Sequence, residues 1–386
     1  MACASSSCAA ATIRRPRAFP RSSRSRTANP TSGPICVRSA CSAICGATRS
    51  SNIAEVTRPL AISMGDSAGI GPEITAKAWK ARELHSLAPF FAIGCPAAVE
   101  RVWDGPVARI NNPDEAAGAF GDALPVLAVS DTCEVTPGSP DEASAKAALQ
   151  SLELAVGLAN AGAAGGVVTG PVSKVQLYKI GFTHPGQTEF VAERCGIAPE
   201  NAVMMLAGPT LRVVPITVHE PLARVPELLT IDLVLTKARV TARGLLRNFG
   251  IERPRLAFAG LNPHAGESGE IGREEIDVLQ PAIARLREEG IDAIGPFAAD
   301  AMFHARARAG YDAALCPTHD QALIPIKTLH FDEGVNITLG LPIVRTSPDH
   351  GTAFGIAGTD AANPGAMIAA IKMAASATQR RAEAAA

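Results

Sequence analysis

From Arg58 onward the chain alternates short apolar runs with longer stretches in which apolar residues recur at helical spacing. Leu60–Ser63, 91–93 and 166–169 read as buried strands. Helices are predicted over 72–82, 143–160, 225–246, 273–289 and 364–381. Three more apolar, β-prone runs lie within 213–218, 256–261 and 313–317, and each leads directly to a histidine: His219, His264 and His319. Strands alternating with helices of this length predict an α/β fold, an α/β/α arrangement with mainly parallel sheets. The Pro-, Gly-, Asp- and Ala-rich stretch 106–141 reads as loops and short strands, and no internal repeat is evident.

The chain has 386 residues, enough for a large core and for two domains of ordinary size. A net charge of -1 argues against nucleic acid or a membrane surface as partner, and 4% aromatics leave little for base stacking. No apolar stretch is long enough to span a bilayer. Residues 1–57 are of different composition, rich in Ser, Ala, Arg and Cys, with no acidic residue before Glu55. They fit an organelle transit peptide or an over-extended reading frame in GC-rich DNA, and are expected to be disordered. Without import by such a peptide, the expected location is cytoplasmic. Five of the nine cysteines fall there; Cys95, Cys133, Cys195 and Cys316 are scattered and read as reduced, packed residues.

In an open α/β sheet, ligands bind beyond the carboxyl ends of the strands. Three imidazoles delivered to such an edge by His219, His264 and His319 could hold one divalent cation and leave positions open for substrate. The loop Met64-Gly65-Asp66-Ser67-Ala68-Gly69-Ile70-Gly71-Pro72-Glu73 follows the first strand and opens a helix. Glycines allow tight turning, Pro72 suits the first helical turn and Glu73 suits its dipole. It is neither a P-loop nor a dinucleotide fingerprint.

Gly69-Ile70-Gly71-Pro72-Glu73 is similar to the first turn of the isocitrate and isopropylmalate dehydrogenase superfamily. Val168-Thr169-Gly170-Pro171-Val172, Asn262-Pro263-His264-Ala265-Gly266-Glu267 and His319-Asp320-Gln321 extend the likeness, as do Gly334-Val335-Asn336-Ile337-Thr338-Leu339-Gly340-Leu341-Pro342, Arg345-Thr346-Ser347 and Asp349-His350-Gly351-Thr352-Ala353. In this order the segments resemble the 4-hydroxythreonine-4-phosphate dehydrogenase family of vitamin B6 biosynthesis, over residues 58 to 380.

The resemblance implies two α/β domains, 58–180 with 330–386 and 181–329, around an active-site cleft. It implies a homodimer with the site near the interface. It puts the metal ligands on His219, His264 and His319, and substrate contacts on Thr188, Lys327, Asn336 and Arg345, with Gln187 where the family has His. Asp300 matches an acidic residue near the metal. Ser67 replaces a usual Pro and Thr318 a usual Tyr. The implied reaction is NAD- or NADP-dependent oxidation and decarboxylation of 4-phosphooxy-L-threonine to 3-amino-2-oxopropyl phosphate, with zinc, cobalt or magnesium as Lewis acid.

Asp320 and Asp300 are candidate hydrogen-bond partners for the ligand histidines. Lys327 and Arg345 are read as clamping the phosphate. Asn336 sits among Val335, Ile337 and Leu339, where an unpaired amide is costly, so it needs a polar partner. The general base is left among metal-bound hydroxide, Asp320 and His350. His304, in an exposed helix, and His330, after a strand, are read as structural. The cofactor contacts carry no recognisable motif. Two rivals share the residue set: a sibling dehydrogenase of 4-phospho-threonate or 4-phospho-erythronate, and a metal-dependent hydrolase of a phosphorylated small molecule.

Overall fold

The computed structural model describes residues 58–129 and 134–385; the extension read in 1–57 and Cys133 lie outside them. Twelve strands are found among the described residues: β1 Leu60–Ser63, β2 Phe90–Gly94, β3 Val107–Ile110, β4 Leu124–Ala128, β5 Val167–Thr169, β6 Val203–Ala207, β7 Arg212–Pro215, β8 Arg255–Ala259, β9 Asp292–Phe297, β10 Ala313–Cys316, β11 Val335–Leu339 and β12 Arg345–Pro348. They form one sheet in the order β3-β4-β2-β1-β5-β12-β11-β6-β7-β10-β8-β9. The first six are parallel to one another, as are β7, β10, β8 and β9. Between the two blocks, the pairings β12–β11, β11–β6 and β6–β7 are antiparallel. Three reversals make the blocks run in opposite directions.

Helices cover both faces, so the parallel strands are buried on each side, as their continuous apolar runs require. Around β1, Leu60 and Ile62 pack with the helices Gly71–Lys80 and Gly365–Glu383. Ala61, Phe91 and Ile93 pack on the opposite side with the helix Glu142–Asn160. The other half repeats this. Leu256, Phe258 and Leu315 meet the helices Ile231–Phe249 and Gln280–Glu288, while Ala257, Ala314 and Cys316 meet the helix His319–Leu329. On one face Met373 packs against both apolar cores and closes the junction between them. On the other face the two cores are separated by a cavity.

Several local expectations change. The helix predicted over 225–246 is interrupted after Val225–Leu228, and Thr230 caps the longer helix by accepting from the Leu233 amide at 3.2 Å. That predicted over 273–289 holds a π-turn at Glu275–Leu279 just before Pro281, which has no N–H to continue the ladder. His304 caps a short helix, Ala305–Arg308. His330 follows the helix His319–Leu329 and not a strand; Pro325 inside that helix obscures its periodicity in the sequence. Cys95 and Cys316 are buried, Cys195 is half-buried, and all three are free thiols. No helix among the described residues is long and apolar enough to cross a membrane.

The glycine loop after β1 braces the site without lining it. At Gly65, φ is +74°, and a Cβ there would overlap the Pro171 carbonyl. The Asp66 amide donates to that carbonyl at 3.0 Å, and the Ile70 amide to Thr352 at 3.0 Å. The loop thereby fixes two segments close to the cavity.

Candidate active site

The cavity, about 310 Å³, lies over the central strands where the sheet reverses direction. Register decides its floor. Asn336 of β11 is directly opposite Ser347 of β12, and Thr338 is opposite Met204 of β6, so these side chains share a face. Arg345, two residues before Ser347, joins them, as does Thr169 at the end of β5. One wall is the Pro185–Glu189 segment, which opens the helix Gln187–Arg194. The other carries His219 and His319, from the turns after β7 and β10. Asp349 and His350, just past β12, stand at the rim.

Arg345 dominates the electrostatics. It is 3% exposed, and burial pushes its guanidinium down to about 10, against the favourable charge of Glu189. At neutral pH it stays charged. Nη2 donates to Thr169 at 2.7 Å and, at 3.4 Å, to the Gln187 Oε1; Nη1 donates to Thr338 at 3.1 Å. All three acceptors are neutral, and among the described residues Nε has no partner. The buried Oδ1 of Asn336 also has none. Buried polar groups are nearly always bonded, so two orphans in one cavity mark a ligand-binding floor. At Gly186, the helix cap, no side chain satisfies the first-turn amides of Gln187 and Thr188, which favour an anion.

The ring centroids of His219 and His319 are 5.6 Å apart. Partial burial, then the charges of Lys174 and His319, hold the His219 imidazole below its ordinary range, with Glu189 opposing. A neutral ring is the form that binds a metal. His264 is not with them: its side chain is 72% exposed. It lies in a run, 264–268, whose φ values are all between 44° and 80°. His264, Ala265, Glu267 and Ser268 in that left-handed region carry backbone strain, on the order of 1–2 kcal/mol each. Within one chain, then, the expected three-histidine group is not assembled, and no cluster of three or more metal-binding side chains occurs among the described residues.

The donor chemistry nevertheless suits a cation. His319 Nδ1 is 2.8 Å from Asp320 Oδ1, and His264 Nδ1 is 2.9 Å from Glu267 Oε2. Each ring is thus oriented by a carboxylate on one nitrogen and left open at Nε2, the pattern found around ligating histidines. Asp300 is exposed in the turn Ala299–Ala301, which packs against the His264 loop and not on the cavity.

Gln187, Thr188, Asn336, Arg345 and His350 all line the cavity. Lys327 does not; its amine is 2.8 Å from Asp349 Oδ2, and it lines two separate depressions. The sequence reading missed Lys174, Glu189, Lys237 and Ser347, which line it too. For Lys237 a signal exists: it shares the helical stripe of Val234, Ala238, Thr241 and Leu245, all buried.

The family model described as pyridoxal phosphate biosynthetic protein PdxA matches residues 88–374. A 4-hydroxythreonine-4-phosphate dehydrogenase of Zymomonas mobilis is 58% identical over 324 residues, 84% of this chain and 97% of the relative. One of Erythrobacter litoralis is 56% identical over 335 residues, 86% of this chain and 99% of the relative. The crystal structure of 4-hydroxythreonine-4-phosphate dehydrogenase from Klebsiella pneumoniae is similar at a TM-score of 0.76 and 36% identity, covering 83% of this chain and 100% of that one. With a family match over most of its folded length and relatives this similar, the chain belongs to the PdxA family of pyridoxal phosphate biosynthetic proteins.

Proposed function

We propose that the chain is a 4-hydroxythreonine-4-phosphate dehydrogenase: it oxidises and decarboxylates 4-phosphooxy-L-threonine in pyridoxal phosphate biosynthesis, with NAD or NADP as hydride acceptor. The observation that carries the reading is Arg345, a buried guanidinium with neutral partners and an open Nε, in the same cavity as the unmet Asn336 Oδ1. Such a floor favours a compound with an anionic group and further hydrogen-bonding groups, as a phosphorylated hydroxy amino acid has. The C3 hydride passes to the nicotinamide and the hydroxyl proton to a base. The bond to the carboxylate then breaks, carbon dioxide leaves, and a proton is taken up at carbon.

His219 and His319 would hold a divalent cation together with His264 of a second copy, whose exposed position suits a contribution across an interface. The cation, zinc, cobalt or magnesium, would supply Lewis acidity at the substrate's hydroxyl and carboxylate oxygens. Arg345, Asn336 and the first-turn amides of Gln187 and Thr188 orient the substrate. Asp320 orients the His319 ring, and His350 and Asp320 stand as candidate bases. Asp300 would act beside His264. Lys327 would reach the substrate by leaving Asp349 at the rim. Domains divided at about 180 and 330 and a cytoplasmic location complete the proposal.

One observation keeps a sibling substrate in view. Gln187 spends its amide on Gly170 at 3.3 Å and on Arg345, and cannot carry a proton as a histidine does. The assay compares 4-phosphooxy-L-threonine with 4-phospho-erythronate, following reduced nicotinamide with and without chelator. Preference for the amino acid by more than about tenfold, roughly 1.4 kcal/mol, is expected, with loss of rate on metal removal. The opposite preference selects the sugar-acid reading, and turnover without a nicotinamide cofactor selects a hydrolase.

A further inference from the structure

Lys237 is 8% exposed and lines the cavity, yet among the described residues its amine has no hydrogen bond and no ion pair. Buried lysines are rare unless paired. The helix Ile231–Phe249 puts Lys237 on its buried stripe, and the helix packs against the turn Pro199–Asn201; Pro199 and Ala202 line the cavity with it. Burial holds the amine below its ordinary range, and the more distant charges of Glu189 and Glu200 oppose this.

The lining of the cavity places Lys237 within the site, together with Arg345, Glu189, His219 and His319. Glu189 favours the charged forms of both Lys237 and Arg345. Among the described residues it forms no ion pair with either of these two buried cations. A phosphate monoester carries about two negative charges at neutral pH and enough oxygens for both.

We propose that Lys237 is a phosphate-holding residue: the substrate's phosphoryl group lies against Lys237 and Arg345. This rests on the dehydrogenase reading and adds to it a contact on a helix outside the residue set of the sequence. A phosphate could also come from the dinucleotide. A cavity of about 310 Å³ is at the small end of ligand sites and suits the smaller compound.

The test uses the full chain as wild type, K237M and K237R. Three quantities are read: the KM for 4-phosphooxy-L-threonine, the KM for the dinucleotide, and the rise in Tm given by inorganic phosphate. In K237M the substrate KM is expected to rise by about tenfold or more, the loss of one charge-assisted contact. The Tm rise with phosphate should shrink, while kcat and the dinucleotide KM move by less than about threefold. K237R should recover part of both losses, which a purely packing role would not predict. An unchanged substrate KM together with an unchanged phosphate effect overturns the proposal, and so does a shift in the dinucleotide KM alone. If the wild type turns over no phosphorylated hydroxy amino acid, the dehydrogenase reading fails by itself. The phosphate effect on Tm, compared between wild type and K237M, still decides whether Lys237 holds a phosphate. Should K237M not fold, K237Q replaces it in both measurements.

Discussion

A buried arginine bonded only to hydroxyls and an amide is a poor stabiliser. Removing a guanidinium from water costs several kcal/mol, and neutral acceptors return only part of that. Arg345 is held in this state by β12, where Thr169, Thr338 and Gln187 surround it. It is kept for what it binds. R345M should therefore separate stability from activity: kcat/KM falls by about 100-fold or more, roughly 2.7 kcal/mol, while thermal unfolding is unchanged or shifts upward. A variant that unfolds earlier but keeps its kcat/KM would make Arg345 a structural residue. At this scale some of the site was legible. Asn336 stands between apolar neighbours in the sequence, and its unmet Oδ1 is the physical form of that conflict. Lys327 shows the opposite case. Its partner Asp349 is remote in the sequence and meets it only through the fold, so no local pattern could reveal the pairing.

Elements set how precisely those residues are held. The left-handed run 264–268 keeps its strained shape because the chain before it is pinned. Glu275, 1% exposed in the π-turn, accepts from the Asn262 amide at 2.8 Å and from its Nδ2 at 3.0 Å. Gln321 reaches across from the His319 helix to the Gly260 carbonyl at 2.8 Å. E275A leaves the half-buried Asn262 backbone amide without its acceptor, while Nδ2 keeps Glu274 at 2.7 Å, and should cost about 1–3 kcal/mol in urea unfolding. It should also lower turnover at temperatures where the protein is fully folded, because the His264 loop loses its brace. Full activity there, despite the lower stability, would show that the loop's geometry does not matter to catalysis. Strands and the regular helices were legible because their apolar period follows from burial on one or both faces. The breaks were less so. Thr230 and Pro281 are visible as cap and imino acid, but whether either ends a helix or only reshapes it depends on the neighbours it packs against. Five successive left-handed residues, only one of them glycine, follow from no local propensity at all.

For the whole molecule, the decisive arrangement is the division of the histidines. His219 and His319 face each other in the cavity, while His264 is displayed on the surface with Glu267 orienting its ring. A sequence read along one chain places three strand-end histidines on a common edge, and β7, β10 and β8 are indeed adjacent and parallel; His264, however, follows β8 at the start of the left-handed run 264–268, which turns its side chain out to solvent. If a second copy supplies it, each site of a twofold dimer draws on both chains. H264A and H219A would then each be inactive alone, through different halves of the site. After joint unfolding and refolding in equal amounts, half of the dimers carry one of each chain, and each of these keeps one intact site. About a quarter of wild-type activity should return, in step with metal recovered on the purified mixture. Mixed dimers that stay inactive while both variants are folded and paired would confine catalysis to residues of a single subunit. Return of activity ties the reaction to the assembly, and explains why an exposed, strained loop that does not line the cavity has a histidine at its start.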